Sequence, residues 1–277
     1  MVPPRARTGA VFLLTDYGTD DEFVGILHAV VLRLAPGAPV VDLTHAIPAH
    51  DVRAGARALG RAAPYLGPGV VVGVVDPGVG GARRNLALQV TGYGGGPSSL
   101  VGPDNGLLVE AAEILGGVDV AVVLPPGGGD DDRPRTFDGR DVFAPAAAAL
   151  WRGATAAELG VPVDPASLVR LPDPFSEMAK GELQAEVLWI DRFGNAQLAV
   201  DASVAGSAGL IPGAALAVTA GGRRHAARRV RSFAELAHDE VGVLADANGR
   251  LAVVCNKRSA ATVLGLEVGD VVTVGWT

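Results

Sequence analysis

Two hydrophobic rhythms divide this chain, and the switch from one to the other constrains its possible folds most. Through residue 151, short apolar runs of strand type alternate with segments whose apolar residues recur at helical spacing. Residues 11–14 are one such run, followed by Phe23, Ile26, Leu27, Val30, Val31 and Leu34 on one helical face. Residues 40–43 start a second cycle, with Val52, Ala56, Leu59 and Ala63 on its helix. Residues 70–75 are continuously apolar and rich in valine, the pattern of a strand covered on both faces. Further strands are expected at 86–90, 100–101 and 118–124, and helices near 105–115 and 142–151. Asp20, Asp21 and Glu22 are expected in the first turn of the first helix, where its dipole favours acids. Such alternation implies a mainly parallel sheet flanked by helices.

The pattern changes after Pro172. Residues 173–180 contain proline, lack clear periodicity and read as a linker. Beyond them, strand-like runs at 183–190, 196–200, 215–219, 241–244, 251–255 and 271–274 are separated by turns rich in Gly, Asn and Asp. Close spacing of that kind signals a small antiparallel barrel or sandwich. The fold class is therefore α/β, with an N-terminal α/β domain over 1–172 and a C-terminal β domain over 181–277. The Gly- and Asp-rich segments 92–97 and 127–135 read as surface loops, and the acidic run 130–132 as a solvated face.

Composition narrows the function classes. A net charge of −7 argues against nucleic acid, whose binding needs basic surface. The single cysteine, Cys255, excludes a disulfide framework and fits a reducing compartment. No apolar run approaches the length that crosses a bilayer, and residues 1–9 lack the apolar core of a secretory signal. A cytoplasmic protein is expected, with no membrane partner.

In open α/β sheets, ligands bind in loops at the carboxyl ends of strands, and several informative residues fall there. Asp16 follows the first strand; it can accept hydrogen bonds from a ribose diol or cap the next helix. Asp76 ends the third strand and is followed by a glycine turn, then Arg83 and Arg84. That run is either a polarised acid–guanidinium pair able to hold a small nucleophile or a tight turn with a surface ion pair. It lacks the Gly-Lys-Ser/Thr ending of a phosphate loop and the spacing of a dinucleotide fingerprint. His45 and His50 lie close in sequence without further ligands at metal-binding spacing, so no metal is expected. His28, His225 and His238 read as structural or solvated. No G-x-S-x-G elbow is present, and Cys255 sits in a strand-like run that reads as buried.

Seven segments together resemble one family. They are LTDYG at 14–18, DLTHAIP at 42–48, VDPGVG at 75–80, VGPDNGLL at 101–108, TFDGRDVF at 136–143, DRFGN at 191–195 and SAATVLGL at 259–266. The chain resembles the S-adenosyl-L-methionine hydrolases, also called hydroxide adenosyltransferases, which are relatives of fluorinating and chlorinating enzymes. The resemblance implies a mainly parallel α/β sandwich followed by a smaller β-barrel, in a homotrimer with active sites between subunits. It implies hydrolysis of S-adenosyl-L-methionine to adenosine and methionine, the ligand being substrate, with no cofactor. Asp16 would hold the ribose, His50 would lie flat against the nucleoside, and Phe137 would line the pocket. Asp191 would contact the methionine end. Asn195 and the backbone near Arg258 and Ala260 would read the adenine edge, with Phe233 packed on the base. Arg83 and the Gly139 N–H would hold water or hydroxide while Asp76 orients it.

The hydrolase branch is similar in carrying an Asp-Arg-His set, which Asp76 and Arg83 match; the third position here is Asp138. That acid either takes over as base or only holds Arg83. Two rival readings follow: a halide-using enzyme of the same superfamily, and a trimer that binds the ligand without converting it.

Overall fold

The computed structural model describes residues 9–92, 98–127 and 135–276. Most of the two expected surface loops, and the acidic run 130–132, lie outside the described residues. Contacts divide the chain into two units, Met1–Leu171 and Pro172–Thr277.

The first unit contains a seven-stranded sheet in the order β2-β1-β3-β5-β4-β6-β7. Its strands are β1 (Ala10–Thr15), β2 (Val40–Thr44), β3 (Gly69–Val74), β4 (Asn85–Val90), β5 (Ser98–Pro103), β6 (Val118–Val123) and β7 (Val161–Val163). The pairs β1–β2, β1–β3 and β3–β5 are parallel, while β4 and β7 run against the other five strands. β3 is buried throughout, as its valine run requires. Val70, Val72 and Val74 enter one core with α1 (Phe23–Leu34) and α4 (Ala144–Trp151). Val71 points to the opposite core with α2 (Val52–Ala62) and the region of α3 (Val109–Ile114). Period-two alternation in one strand thus divides its side chains between two helical layers. Fully burying each such side chain contributes roughly 1.5–3 kcal/mol.

Several element boundaries depart from the sequence expectation for local reasons. The acids at 20–22 precede α1, whose first turn contains none; Glu22 occupies its N-cap position without a side-chain bond. Helix α3 starts at Val109, since Asn105 closes a turn by accepting from the Leu107 N–H at 3.2 Å. Its side-chain amide also donates to the Val75 carbonyl at 2.8 Å. Helix α4 is entered through a π-helical turn, Gly139–Phe143, a distortion common at functional positions.

The second unit is a closed barrel. Its strands are β8 (Ser176–Ala179), β9 (Glu182–Ile190), β10 (Ala196–Asp201), β11 (Ala215–Ala220), β12 (Arg223–Arg229), β13 (Val241–Ala245), β14 (Arg250–Cys255) and β15 (Val271–Trp276). Strands β10-β14-β13-β12-β11-β15-β9 neighbour one another in turn, and a β10–β9 pairing closes the ring. Nine-residue β9 makes this possible: along one edge its first half pairs with β8 and its second half with β10. The segment 173–180 is therefore no plain linker, because it contributes β8 to this sheet. Val187, Leu198, Val218, Val243, Val253 and Val274 fill the interior. Short helices α5 (Ala202–Ser207) and α6 (Ala260–Leu264) attach to the barrel. β12, with sequence RRHAARR, was absent from the apolar pattern. It is a strand because Ala227 and Arg229 alternate inward while Arg224, Ala226 and Arg228 face out.

Leu13 has no exposed surface and lies in the core beside α1 and α4. Leu13→Ala should lower unfolding free energy by about 2–5 kcal/mol, read as a shift in the urea midpoint at unchanged slope.

Candidate active site

Strand order creates the site. The chain leaves β1 toward β2 on one side and returns as β3 on the other, so the β1/β3 boundary is a topological switch point. Such points open a crevice at strand carboxyl ends. Thr15 and Val74 are register partners, so Asp16, one residue past Thr15, and Asp76, two residues past Val74, leave neighbouring strand ends. A cavity of about 270 Å³ lies there, lined by Asp16, Tyr17, Phe23, His50, Asp76 and Phe137, and also by Asp138 and Gly139.

Asp76 does not stand alone. Arg83 folds back over the glycine turn, its Nε donating to the two Asp76 oxygens at 3.0 and 3.1 Å. Nη2 donates to Asp76 Oδ2 and Asp138 Oδ2, each at 2.5 Å, and Nη1 donates to Asn85 Oδ1. Four of the five guanidinium N–H groups are thus committed within the clamp. Burial disfavours the Arg83 charge, yet hydrogen bonds to Asp76 and Asp138, with their charges, hold its pKa above the ordinary value. The turn needs glycine at 80: φ there is +74°, and a Cβ would lie 2.4 Å from the Arg135 carbonyl. Asp138, only 5% exposed, also borders a second cavity of about 230 Å³ with Arg83, Arg84 and Asn85.

Asp16 Oδ2 accepts from the His50 N–H at 2.9 Å, fixing His50 at the rim in a left-handed conformation with φ +68°. A positive φ in a non-glycine residue stores strain that surrounding contacts must hold. Opposite, the rings of Tyr17, Phe23 and Phe137 pack with centroids 5.1 to 5.6 Å apart. Burial, then the charges of Asp16, Asp76 and Asp138, push the Tyr17 phenol well above the tyrosine range, against the opposing charge of Arg83.

A relay running from the surface to the buried Thr15 and His45 supports this rim. Asp42 Oδ1 lies 2.8 Å from His28 Nε2 and 3.0 Å from His45 Nε2. His45 Nδ1 meets Thr15 Oγ1 at 2.8 Å, and that hydroxyl oxygen accepts from the Tyr17 N–H at 3.1 Å. The His45 carbonyl accepts from the Gly18 N–H. His28, read as merely structural, belongs to this support. Among the described residues, no three His, Cys, Asp or Glu side chains gather as a metal site.

The barrel residues form a separate cluster. Asp191 Oδ1 accepts from the backbone N–H groups of Phe193 and Asn195 at 2.9 Å, and Oδ2 from the Asn195 amide at 2.8 Å. Both side chains therefore brace their own turn while lining a cavity of about 650 Å³ with Phe193, Phe233 and Arg258. Phe193 is 71% exposed. Ala260 has no exposed surface, so its side chain belongs to the barrel core. Cys255 is buried, and burial raises its thiol pKa, so it is no nucleophile.

Residue-type reasoning missed three contributors. Asn85, the first residue of β4, was signalled only by lying two residues beyond Arg83. Tyr17 and Phe23 flank positions already singled out, yet their packing with Phe137 is tertiary.

A doubly wound α/β unit with an Asp–Arg–Asp clamp at its switch point, followed by a closed barrel, defines a recognisable class of protein. Residues 11–160 match the model for the SAM hydroxide adenosyltransferase N-terminal domain, and residues 185–273 that for the C-terminal domain. The chain belongs to this SAM hydroxide adenosyltransferase family. It is similar to an (R)-S-adenosyl-L-methionine hydrolase of Salinispora tropica, 45% identical over 266 residues, covering 96% of this chain and 97% of that one. A protein of the same description from Thermus thermophilus is 40% identical, covering 94% and 96% respectively. A fluorinase of Actinoplanes sp. is more distant, 27% identical over 69% of this chain and 72% of its own. Among solved structures, a conserved protein of Thermotoga maritima superposes with a TM-score of 0.86 at 28% identity, covering 96% of this chain and 99% of that one.

Hydrogen bonds from His45 and His28 hold the Asp42 carboxyl below the ordinary carboxylate range, against the opposing effect of burial. A depressed folded pKa contributes stability above the unfolded value of about 3.9, lost as pH falls through the folded pKa. Asp42→Asn should therefore melt lower than wild type at pH 7. The gap should close on the acid side of about pH 4, as followed by thermal melts across pH.

Proposed function

We propose that this chain hydrolyses S-adenosyl-L-methionine to adenosine and L-methionine by attack of water on the ribose C5′. The observation that carries the reading is the Asp76–Arg83–Asp138 clamp in the wall of a cavity that also presents Asp16 and three aromatic rings. In the displacement, the water oxygen bonds to C5′ as the C5′–S bond breaks. The departing electron pair neutralises the sulfonium, so methionine leaves without acid help. The attacking oxygen becomes positive, and one proton must go to a base.

Two carboxylates at that point suit this charge flow, since positive charge moves from sulfur toward the attacking oxygen. Asp138 is assigned as the base, in place of the histidine of similar hydrolases, with the second cavity on its far side as an outlet for the proton. Arg83 is a positioning residue: four of its five N–H donors serve Asp76, Asp138 and Asn85, so it chiefly aligns acceptors. Asp16 retains acceptor capacity beyond its bond to His50 and would hold the ribose diol.

The same charges weigh against the halide reading. Three carboxylates outnumber the one guanidinium around the nucleophile. An anion 4 Å from a carboxylate meets a repulsion of about 4 kcal/mol at an effective dielectric of 20. A neutral water meets no such repulsion.

The α/β cavity, at about 270 Å³, lies below the roughly 300–1,000 Å³ that encloses a small-molecule ligand. We assign the remainder of the site to the barrel of a neighbouring subunit in a homotrimer. There Phe233, Asn195 and the backbone near Arg258 and Ala260 would receive adenine, and Asp191 the methionine end. Similarity to the named relatives extends the proposal to the (R) form of the substrate. A chain with one cysteine fits a cytoplasmic setting.

Incubation in ¹⁸O-water should give adenosine labelled at the 5′ oxygen, with (R) substrate consumed faster than (S). Added chloride should give no 5′-chloro-5′-deoxyadenosine; unchanged substrate of both forms would refute hydrolysis. Asp138→Asn should lower kcat by about 10²–10⁴ while KM changes little, measured by chromatographic initial rates.

A further inference from the structure

The hydrolysis proposed above needs a group that the clamp does not supply. A neutral water attacks carbon through one lone pair and can donate hydrogen bonds from both O–H groups to carboxylates, here Asp76 and Asp138, of which Asp138 takes one proton. Its second lone pair then requires a donor; without one the water is free to rotate away from the line of displacement. Arg83 is poorly suited, because Nε and Nη2 donate to the two carboxylates and Nη1 to Asn85.

Two hydroxyl groups belong to residues lining the cavity, those of Tyr17 and Thr136. Thr136 is exposed, whereas Tyr17 is held on two sides. Its ring packs on Phe23 at 5.6 Å and 47°, and on Phe137 at 5.6 Å and 77°. This packing brings Tyr17 Oη over Gly139: a Cβ at residue 139 would lie 2.4 Å from that oxygen. Gly139 directly follows Asp138, and both line the same cavity as Tyr17. Glycine at 139 is therefore the residue that leaves room for the phenol.

We infer that the Tyr17 hydroxyl is a catalytic hydrogen-bond donor to the attacking water, holding its second lone pair while its two O–H groups point to Asp76 and Asp138; one proton passes to Asp138 and the other stays on the 5′ hydroxyl of the product. The phenol keeps its own proton throughout. Burial and the surrounding acids hold it protonated across the working range, so it acts as donor and not as base. The inference rests on the hydrolase reading and goes beyond it by naming what orients the nucleophile.

Tyr17→Phe removes one oxygen and preserves the ring packing. It should reduce kcat about 3- to 10-fold through loss of in-line placement of the water, since a bond donated to an oxygen that turns positive does not itself strengthen in the transition state. KM, adenosine affinity by calorimetry and melting temperature should stay as in wild type. Unchanged kcat in Tyr17→Phe, with wild type active, would overturn the Tyr17 assignment alone. Parallel loss of adenosine affinity and melting temperature would overturn it too, by marking Tyr17 as structural. A wild type that forms no adenosine would overturn the hydrolase reading and this inference together. Gly139→Ala offers a second check: its methyl group displaces the hydroxyl, so kcat should fall in Gly139→Ala but fall no further when Tyr17→Phe is added. Additive losses would overturn the inference.

Discussion

One guanidinium between two carboxylates organises the α/β half of this protein. Without Arg83, Asp76 and Asp138 would be two buried negative charges at neighbouring positions, an arrangement that costs several kcal/mol unless paired. With it, each acid is fixed through Nη2, and Asn85 secures the other side of the fork. The geometry depends on features far apart in sequence. Asp76 comes from the end of β3, Arg83 from the turn that leads to β4, and Asp138 from the entry to the π turn before α4. A single planar, multiply hydrogen-bonded side chain therefore ties together three loops that the sheet brings to one edge. Lysine could not replace it, since a point charge cannot engage three partners in one plane.

Support for the opposite wall is of another kind. Asp16 and Tyr17 follow β1 directly, and the relay from Asp42 through His45 to Thr15 holds that strand end. The buried His45 has an acid on one ring nitrogen and a hydroxyl on the other, which fixes its ring plane. Thr15 in turn fixes the backbone at Tyr17. The strain stored at His50 is sustained by the Asp16 carboxylate. Thus one wall is rigid through ionic bonding and the other through a neutral-to-acid relay and aromatic packing.

The architecture was largely readable in the sequence because it rests on periodicity. The valine run at 70–75 announced a strand covered on both faces, and the rhythm after Pro172 announced closely spaced β elements. What escaped had no periodic signal. β12 is mostly arginine, and the strands at 161–163 and 176–179 are short and sit beside prolines or charges; pairing with neighbours makes them strands, and pairing is a tertiary property. Acids 20–22 pointed to a helix start yet lie before it, because a dipole preference is weak beside the loop that carries Asp16 into the cavity.

The site was readable as an inventory more than as geometry. Motifs located Asp16, Asp76, Arg83 and Asp138, but residue types alone left Asp76 and Arg83 open between a ligand clamp and a surface ion pair. Their burial excludes the surface ion pair, with exposed side-chain fractions of 6% and 12%. Sequence also suggested that Arg83 grips the nucleophile. The donor count narrows that role, since four of the five N–H groups already face two acids and an amide, and one on Nη1 lies outside the clamp. The functional burden then moves to the acceptors. Replacing a histidine by Asp138 becomes intelligible on the same ground. A carboxylate accepts from Arg83 in its charged form, and under the proposed hydrolysis it adds negative charge where a water oxygen would turn positive. Under the proposed hydrolysis, the substitution strengthens the field against anions at the nucleophile position, and so favours water through electrostatics before any question of shape arises.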